Sequence, residues 1–295
     1  MFKALLERLG AAGRVAIPDD LWRATVEVLP FVARLDAVDR ERLRRLAETL
    51  LADKEMAAAG ELELNAQIQV NIAAQACLPI LNLGIDWYRG WNSIVVYPGE
   101  FLVPREVVDD DGVVHEYVEP IAGEAWDGGP LLVSWEDAQI AGQPDRGGYN
   151  VVIHEFTHKI DLLNGEADGV PPFDRRLHPT LDVRDWQQAL EDAYERFNAE
   201  LDLIEATLPA HLAPDDEAAD AYYAHLPLDA YAAHNPGEFF AVSSEAFFVD
   251  PARLGQAFPR WYRQLALFFR QDPLGLGVGP DDGPAPAGSA RGGAP

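Results

Sequence analysis

The chain has 295 residues, 48% of them hydrophobic, with seven Trp and thirteen Phe, ample for a sizeable core. Lys and Arg number 23 against 49 Asp and Glu, a net charge of −26. A surface that negative repels phosphate backbones and anionic lipid, which argues against direct nucleic-acid or membrane binding.

Cys77 is the single cysteine, set in the apolar run 73–80, so no intrachain disulfide can form and the thiol reads as buried and structural. The first nine residues lack an apolar core of signal-peptide length, and no run approaches a membrane span, so a cytoplasmic protein is expected.

Residues 19–57 read as helices. Leu21, Val28 and Val32 recur at helical spacing, and Leu43, Leu46, Leu50 and Leu51 do so beside Arg42, Arg44, Arg45 and Glu48. A third helix is predicted over 65–78, ended by Pro79. Residues 1–90 are thus expected to form an N-terminal helical annex, built as one compact unit with a core over 91–278. From Ser93 the period changes. Residues 93–97, 101–103, 113–118 and 131–135 are β-rich, with turns at Pro98-Gly99 and at 109–112. These strands predict a small, mostly antiparallel sheet packed on the helix that follows, with an edge to which an extended peptide could add.

That helix spans the stretch from Tyr149 to Gly165. At about 100° per residue, Val152, Ile153, Phe156, Ile160 and Leu163 share one side, and His154, His158 and Asp161 the other. Asn164-Gly165 supplies a left-handed stop. Two imidazoles a turn apart, about 5–6 Å between Cβ atoms, suit two ligands of one tetrahedral metal ion. Glu155 lies beside the first, where it can serve a water at the metal without binding the metal. This is the H-E-x-x-H arrangement of zinc hydrolases. The competing reading is an amphipathic helix with incidental histidines, which gives no use to the coincidence of spacing, Glu and helical context.

Further on, a long helix is predicted over 186–208, a helix opened by Asn235-Pro236-Gly237-Glu238 and running through Phe248, and a last helix over 261–270. Residues 279–295 are too poor in apolar groups to fold and read as a disordered tail. A zinc site needs a third protein ligand. Asp161 and Asn164 occupy the places where a longer motif would put glycine-spaced histidine ligation, so a Glu from a later helix is required. Glu238 and Glu245 share one face of the 235–249 helix, and the small Ala241 between them permits close approach. Glu238 also stands where a capping-box Glu would. Helix geometry leaves both open.

The segments Gly148–Asp161, Ala74–Gly84, Tyr97–Phe101 and Asp229–Ala233 resemble, in the same order, those of the Mlc titration factor A family of bacterial zinc peptidases, over most of residues 20–273. That family is similar to the catalytic domain of anthrax lethal factor, whose third zinc ligand is the Glu of an E-F-F-A segment. Glu238-Phe239-Phe240-Ala241 fits that pattern. The resemblance therefore implies an α+β zincin-like fold of the gluzincin type and one Zn2+ per chain, held by His154, His158 and Glu238. Glu155 is then the general base, and Glu245 supports the ligands; Asp161, on the histidine face of its helix, is expected either to orient a ligand histidine or to face solvent. The resemblance further implies Tyr231 as an oxyanion donor and His115 as a fourth ligand closing the resting site. The expected activity is zinc-dependent peptide hydrolysis, of the aminopeptidase kind. The family is named for sequestering the glucose-regulated repressor Mlc, so a transcriptional repressor of that type is an expected partner. The alternative is a non-enzymatic repressor-binding protein with a regulatory or vestigial zinc site. His178, His211, His225 and His234 have no partner pattern and read as surface or loop residues.

Overall fold

A computed structural model describes residues 15–277, apart from 109–113, 127, 144–146, 210 and 215, with the side chains of 102–120 and 217 also outside the description. The elements in chain order are α1 (Asp19–Val28), α2 (Pro30–Ala33), α3 (Ala37–Asp53), β1 (Glu55–Ala58), α4 (Ala66–Cys77), β2 (Ser93–Tyr97), β3 (Phe101–Val108), β4 (Val114–Ile121), β5 (Gly123–Ala125) and β6 (Leu131–Ser134). They continue with α5 (Trp135–Ile140), α6 (Val151–Asp161), α7 (Val183–Glu205), α8 (Asp220–Tyr223), α9 (Pro236–Val249), α10 (Pro251–Ala257) and α11 (Pro259–Phe269). The expected 109–112 turn and the expected tail at 279–295 fall outside the described residues.

The fold is α+β, and its sheet corrects the antiparallel expectation. Four strands run in the order β1-β2-β6-β5, with β1, β2 and β6 mutually parallel and β5 antiparallel to β6. β3 and β4 form a separate antiparallel pair. Strand-like composition identifies a strand and not its partner. Here the link from β1 to β2 contains α4, and a parallel pair needs such a crossover. A second correction concerns residues 55–57, expected to be helical. α3 ends at Asp53, Lys54 buries its ammonium on the carbonyls of Tyr88 and Trp91 (2.6 Å each), and Glu55–Ala58 pairs with 93–96 instead. Tertiary pairing overrides a helix-tolerant sequence there.

Two helices lie deep in the core. α6 buries Val151, Val152, Ile153, Phe156 and Ile160, and α9 buries nearly its whole length from Phe239 to Phe248. A helix apolar around its circumference must be enclosed by others. α6 packs against β5 and β6, against α4, and most extensively against α9. Gly148 makes that approach possible, since a Cβ there would lie 2.9 Å from Ala246 Cα. Cys77 is buried in α4, and burial pushes its thiol pKa far up, as fits a structural cysteine. Among the described residues no helix is long and apolar enough to cross a membrane.

Candidate metal centre

Both helices that carry the motif residues start at an asparagine. Asn150 Oδ1 accepts from Ile153 N–H (3.0 Å) and opens α6; Asn235 Oδ1 accepts from Glu238 N–H (3.0 Å) and opens α9, followed by Pro236. Backbone capping by Asn235 frees the Glu238 carboxylate to turn inward. Glu238 Oε2 lies 3.0 Å from His154 Nε2 and 3.2 Å from His158 Nε2, and the two Nε2 atoms are 3.1 Å apart. The side chains of both histidines are 12% exposed, so the cluster lies at the floor of a shielded site.

Glu245 fixes the first imidazole. Its Oε1 accepts from His154 Nδ1–H (2.7 Å), and its Oε2 accepts from Asn150 N–H. With its proton on Nδ1, His154 aims a bare Nε2 lone pair at another imidazole and a carboxylate. Three such ligand atoms are held together by a cation between them, a proton or a metal ion. Burial alone would depress the His154 pKa, but the carboxylates of Glu238 and Glu245 outweigh it and raise it well above the ordinary value. Although burial opposes it, contact with the two histidines holds Glu238 well below the usual carboxylate range. The same field that favours a proton favours a metal ion. Tetrahedral ligands about 2.0–2.1 Å from zinc stand ~3.3 Å from each other, close to the separations seen, so these residues fit one divalent ion. Among the described residues, His154, His158 and Glu238 form the trio of ligand types that could hold a metal.

Glu155 is 5% exposed and makes no contact of ligand type with the trio. Burial pushes its carboxyl up to about 8, with the neighbouring Glu238 and Glu245 carboxylates adding to the effect. Its place is set by a glycine: a Cβ on Gly123 of β5 would lie 2.5 Å from Glu155 Oε1.

A sequence model of the family described as glucose-regulated metallo-peptidase M90 matches residues 5–270. The chain belongs to that family. Curated relatives named Mlc titration factor A include one from Pectobacterium atrosepticum, 37% identical over 86% of each chain. Another from Klebsiella pneumoniae is 34% identical over 93% of each chain. A third, from Salmonella gallinarum, is 37% identical over 83% of this chain and 84% of its own. Family membership carries a metal cofactor with it, and the trio on α6 and α9 is where this M90 chain could hold one.

The other expected residues fall at differing distances from the M90 cluster. Tyr231, on a 3₁₀ turn over 230–233, is 44% exposed, with its ring centroid 6.0 Å from that of His154. Asp161 is fully buried, and its Oδ2 accepts from Gly169 N–H (2.7 Å), so the carboxylate ties down the loop after α6. His115 stands on β4 opposite Val107, its side chain outside the described part of the structure. His211, His225 and His234 are exposed; His178 lies in a loop, as one half of its reading has it, but is not at the surface, being 4% exposed with both ring nitrogens bonded. Sequence reasoning missed Gly123. The available signal was a glycine in a short strand-like stretch, which marks close approach of another group.

Proposed function

We propose that the chain is a zinc-dependent aminopeptidase. The convergence of His154 Nε2, His158 Nε2 and Glu238 Oε2, with the buried Glu155 carboxylate beside it, supports this reading above any other observation. His154, His158 and Glu238 would hold the ion, and Glu245 keeps His154 in the ligating tautomer. Zinc bound there would polarise the scissile carbonyl and bring the pKa of water towards neutrality. Glu155 takes the proton from the attacking water and passes it to the leaving amine. The Tyr231 hydroxyl donates to the oxyanion that develops on the substrate carbonyl. The terminal strand β5, running against α6, offers backbone groups to an extended peptide.

Metal content and hydrolysis of unblocked peptides, measured before and after chelation, test the proposal. Glu155→Gln should retain one zinc per chain and lose activity by about 10²–10⁴-fold. Retained turnover in that variant removes Glu155 from the mechanism.

The relatives' shared name favours a second role, capture of a repressor of the Mlc type. If the two roles are separable, His154→Ala should abolish metal binding and hydrolysis while leaving the affinity for a candidate repressor unchanged.

A further inference from the structure

The terminal strand of the sheet lies beside α6 in a definite register. Gly123 abuts Glu155, and the carbonyl of Trp126, just past the strand, accepts from Lys159 Nζ one helical turn further along. At that end opens a cleft of about 250 Å³, lined by Arg89, Trp91, Trp126, Lys159, Leu162 and Leu163.

The polar side-chain groups among these six are all donors: a guanidinium, an ammonium and two indole N–H groups. The Lys159 ammonium stands 5.0 Å over the Trp91 ring and also donates to Gly129 O (3.0 Å). Trp91 is 4% exposed, and among the described residues its Nε1–H has no acceptor. A buried donor without a partner costs free energy that an acceptor group would recover. Trp126 is 48% exposed, so one wall faces solvent. Arg89 and Lys159 both line this cleft, in a chain whose net charge is −26.

We propose that the cleft is a subsite for a carboxylate on the peptide substrate, either an acidic side chain or the C-terminal carboxylate of a short peptide. This rests on the peptidase reading above. A peptide added along β5 advances ~3.3 Å per residue, so the step from Gly123 to Trp126 places the carboxylate about three residues from the scissile bond. Aminopeptidase cleavage leaves a single residue upstream, which puts the anionic group downstream.

The test uses unblocked tetrapeptide amides with Glu or Gln at the third or fourth position, together with the Gln peptides as free acids. KM is measured on the zinc-loaded wild-type enzyme. Kd is measured on Glu155→Gln by tryptophan fluorescence. An acidic side chain or a free C-terminus at the matching position should lower both by about fivefold, the effect of one partly exposed ion pair. The series that gains identifies which carboxylate is read. Arg89→Glu, at an exposed position, should abolish or reverse the preference. Equal Kd for Glu and Gln peptides and for acids and amides overturns the proposal, as does a preference that survives Arg89→Glu. Failure of the wild type to cleave any peptide sinks the peptidase reading instead, and the Kd comparison still decides for or against the cleft.

Discussion

At the scale of single residues, the site depends on what stands behind each functional atom. Glu245 bonds His154 Nδ1 and the Asn150 amide at once, so it joins the imidazole to the start of its own helix from α9. Replacing it by Gln puts an amide N–H₂ where two donors already point. Zinc affinity of Glu245→Gln should drop about 10–100-fold in chelator competition, the usual cost of losing a partner behind a ligand histidine. An unchanged affinity would show that Glu245 does not orient the ligand. Gly123 makes a different contribution, by lacking a Cβ. The added methyl of Gly123→Ala would meet Glu155 Oε1 at 2.5 Å and Cγ at 2.6 Å, so the carboxylate must shift. A displacement of that size costs ~10²-fold in kcat, while bound zinc stays at the wild-type level. Loss of zinc together with activity would instead point to a disturbed α6.

At the scale of elements, the question is what keeps α6 and α9 in register, since the histidines ride on one and Glu238 on the other. The loop after α6 does much of this. Asp161 holds Gly169 N–H, and Trp186 of α7 donates its Nε1–H to Gly169 O (2.7 Å). A Cβ on Gly169, whose φ is +80°, would lie 2.6 Å from Pro236 O, and one on Gly237 would lie 2.3 Å from Ala167 O. The loop is therefore pressed against the first turn of α9, two residues from Glu238. Trp186→Phe leaves the buried Gly169 carbonyl without its donor. Urea unfolding should show a loss of about 1–3 kcal/mol, and zinc binding should weaken as the two helices lose their common brace. Lower stability with unaltered zinc affinity would separate the brace from the site.

At the scale of the whole molecule, a second cluster, built around His178, couples stability to pH. His178 stacks on Phe268 with ring centroids 4.9 Å apart, and Phe173 and Trp87 close around it. Its Nε2–H donates to Phe268 O (2.9 Å) and its Nδ1 accepts from Asp174 N–H (3.1 Å), so the neutral ring is the form that fits. Burial lowers the His178 pKa below its ordinary value, with the bond to Phe268 O opposing in part. Between the folded value and about 6.5 the unfolded chain binds more protons, so stability falls as pH drops through that window and levels off beneath it. Unfolding free energies followed from neutral pH downward should decline more steeply for wild type than for His178→Gln. Identical pH slopes would exclude His178 as the coupled group.

The sequence by itself determined the elements that carry chemistry. His154, Glu155 and His158 are read from a spacing that local helix geometry converts directly into a shared face, and Asn235-Pro236 announces the start of α9 through capping alone. Local rules suffice there because the interacting groups lie within one turn of each other. The tertiary structure decided everything that depends on partners distant in the chain. Residues 55–58 became a strand because β2 was available to pair, the sheet turned out mixed because α4 crosses between β1 and β2, and His178 went inside because Phe268 and the Asp174 amide satisfy both of its nitrogens. Glu238 and Glu245 stood equal on a helical wheel. They differ in the fold because α9 crosses α6 at an angle that sends one carboxylate to the paired Nε2 atoms and the other to Nδ1 behind them, a difference of packing that no periodicity encodes.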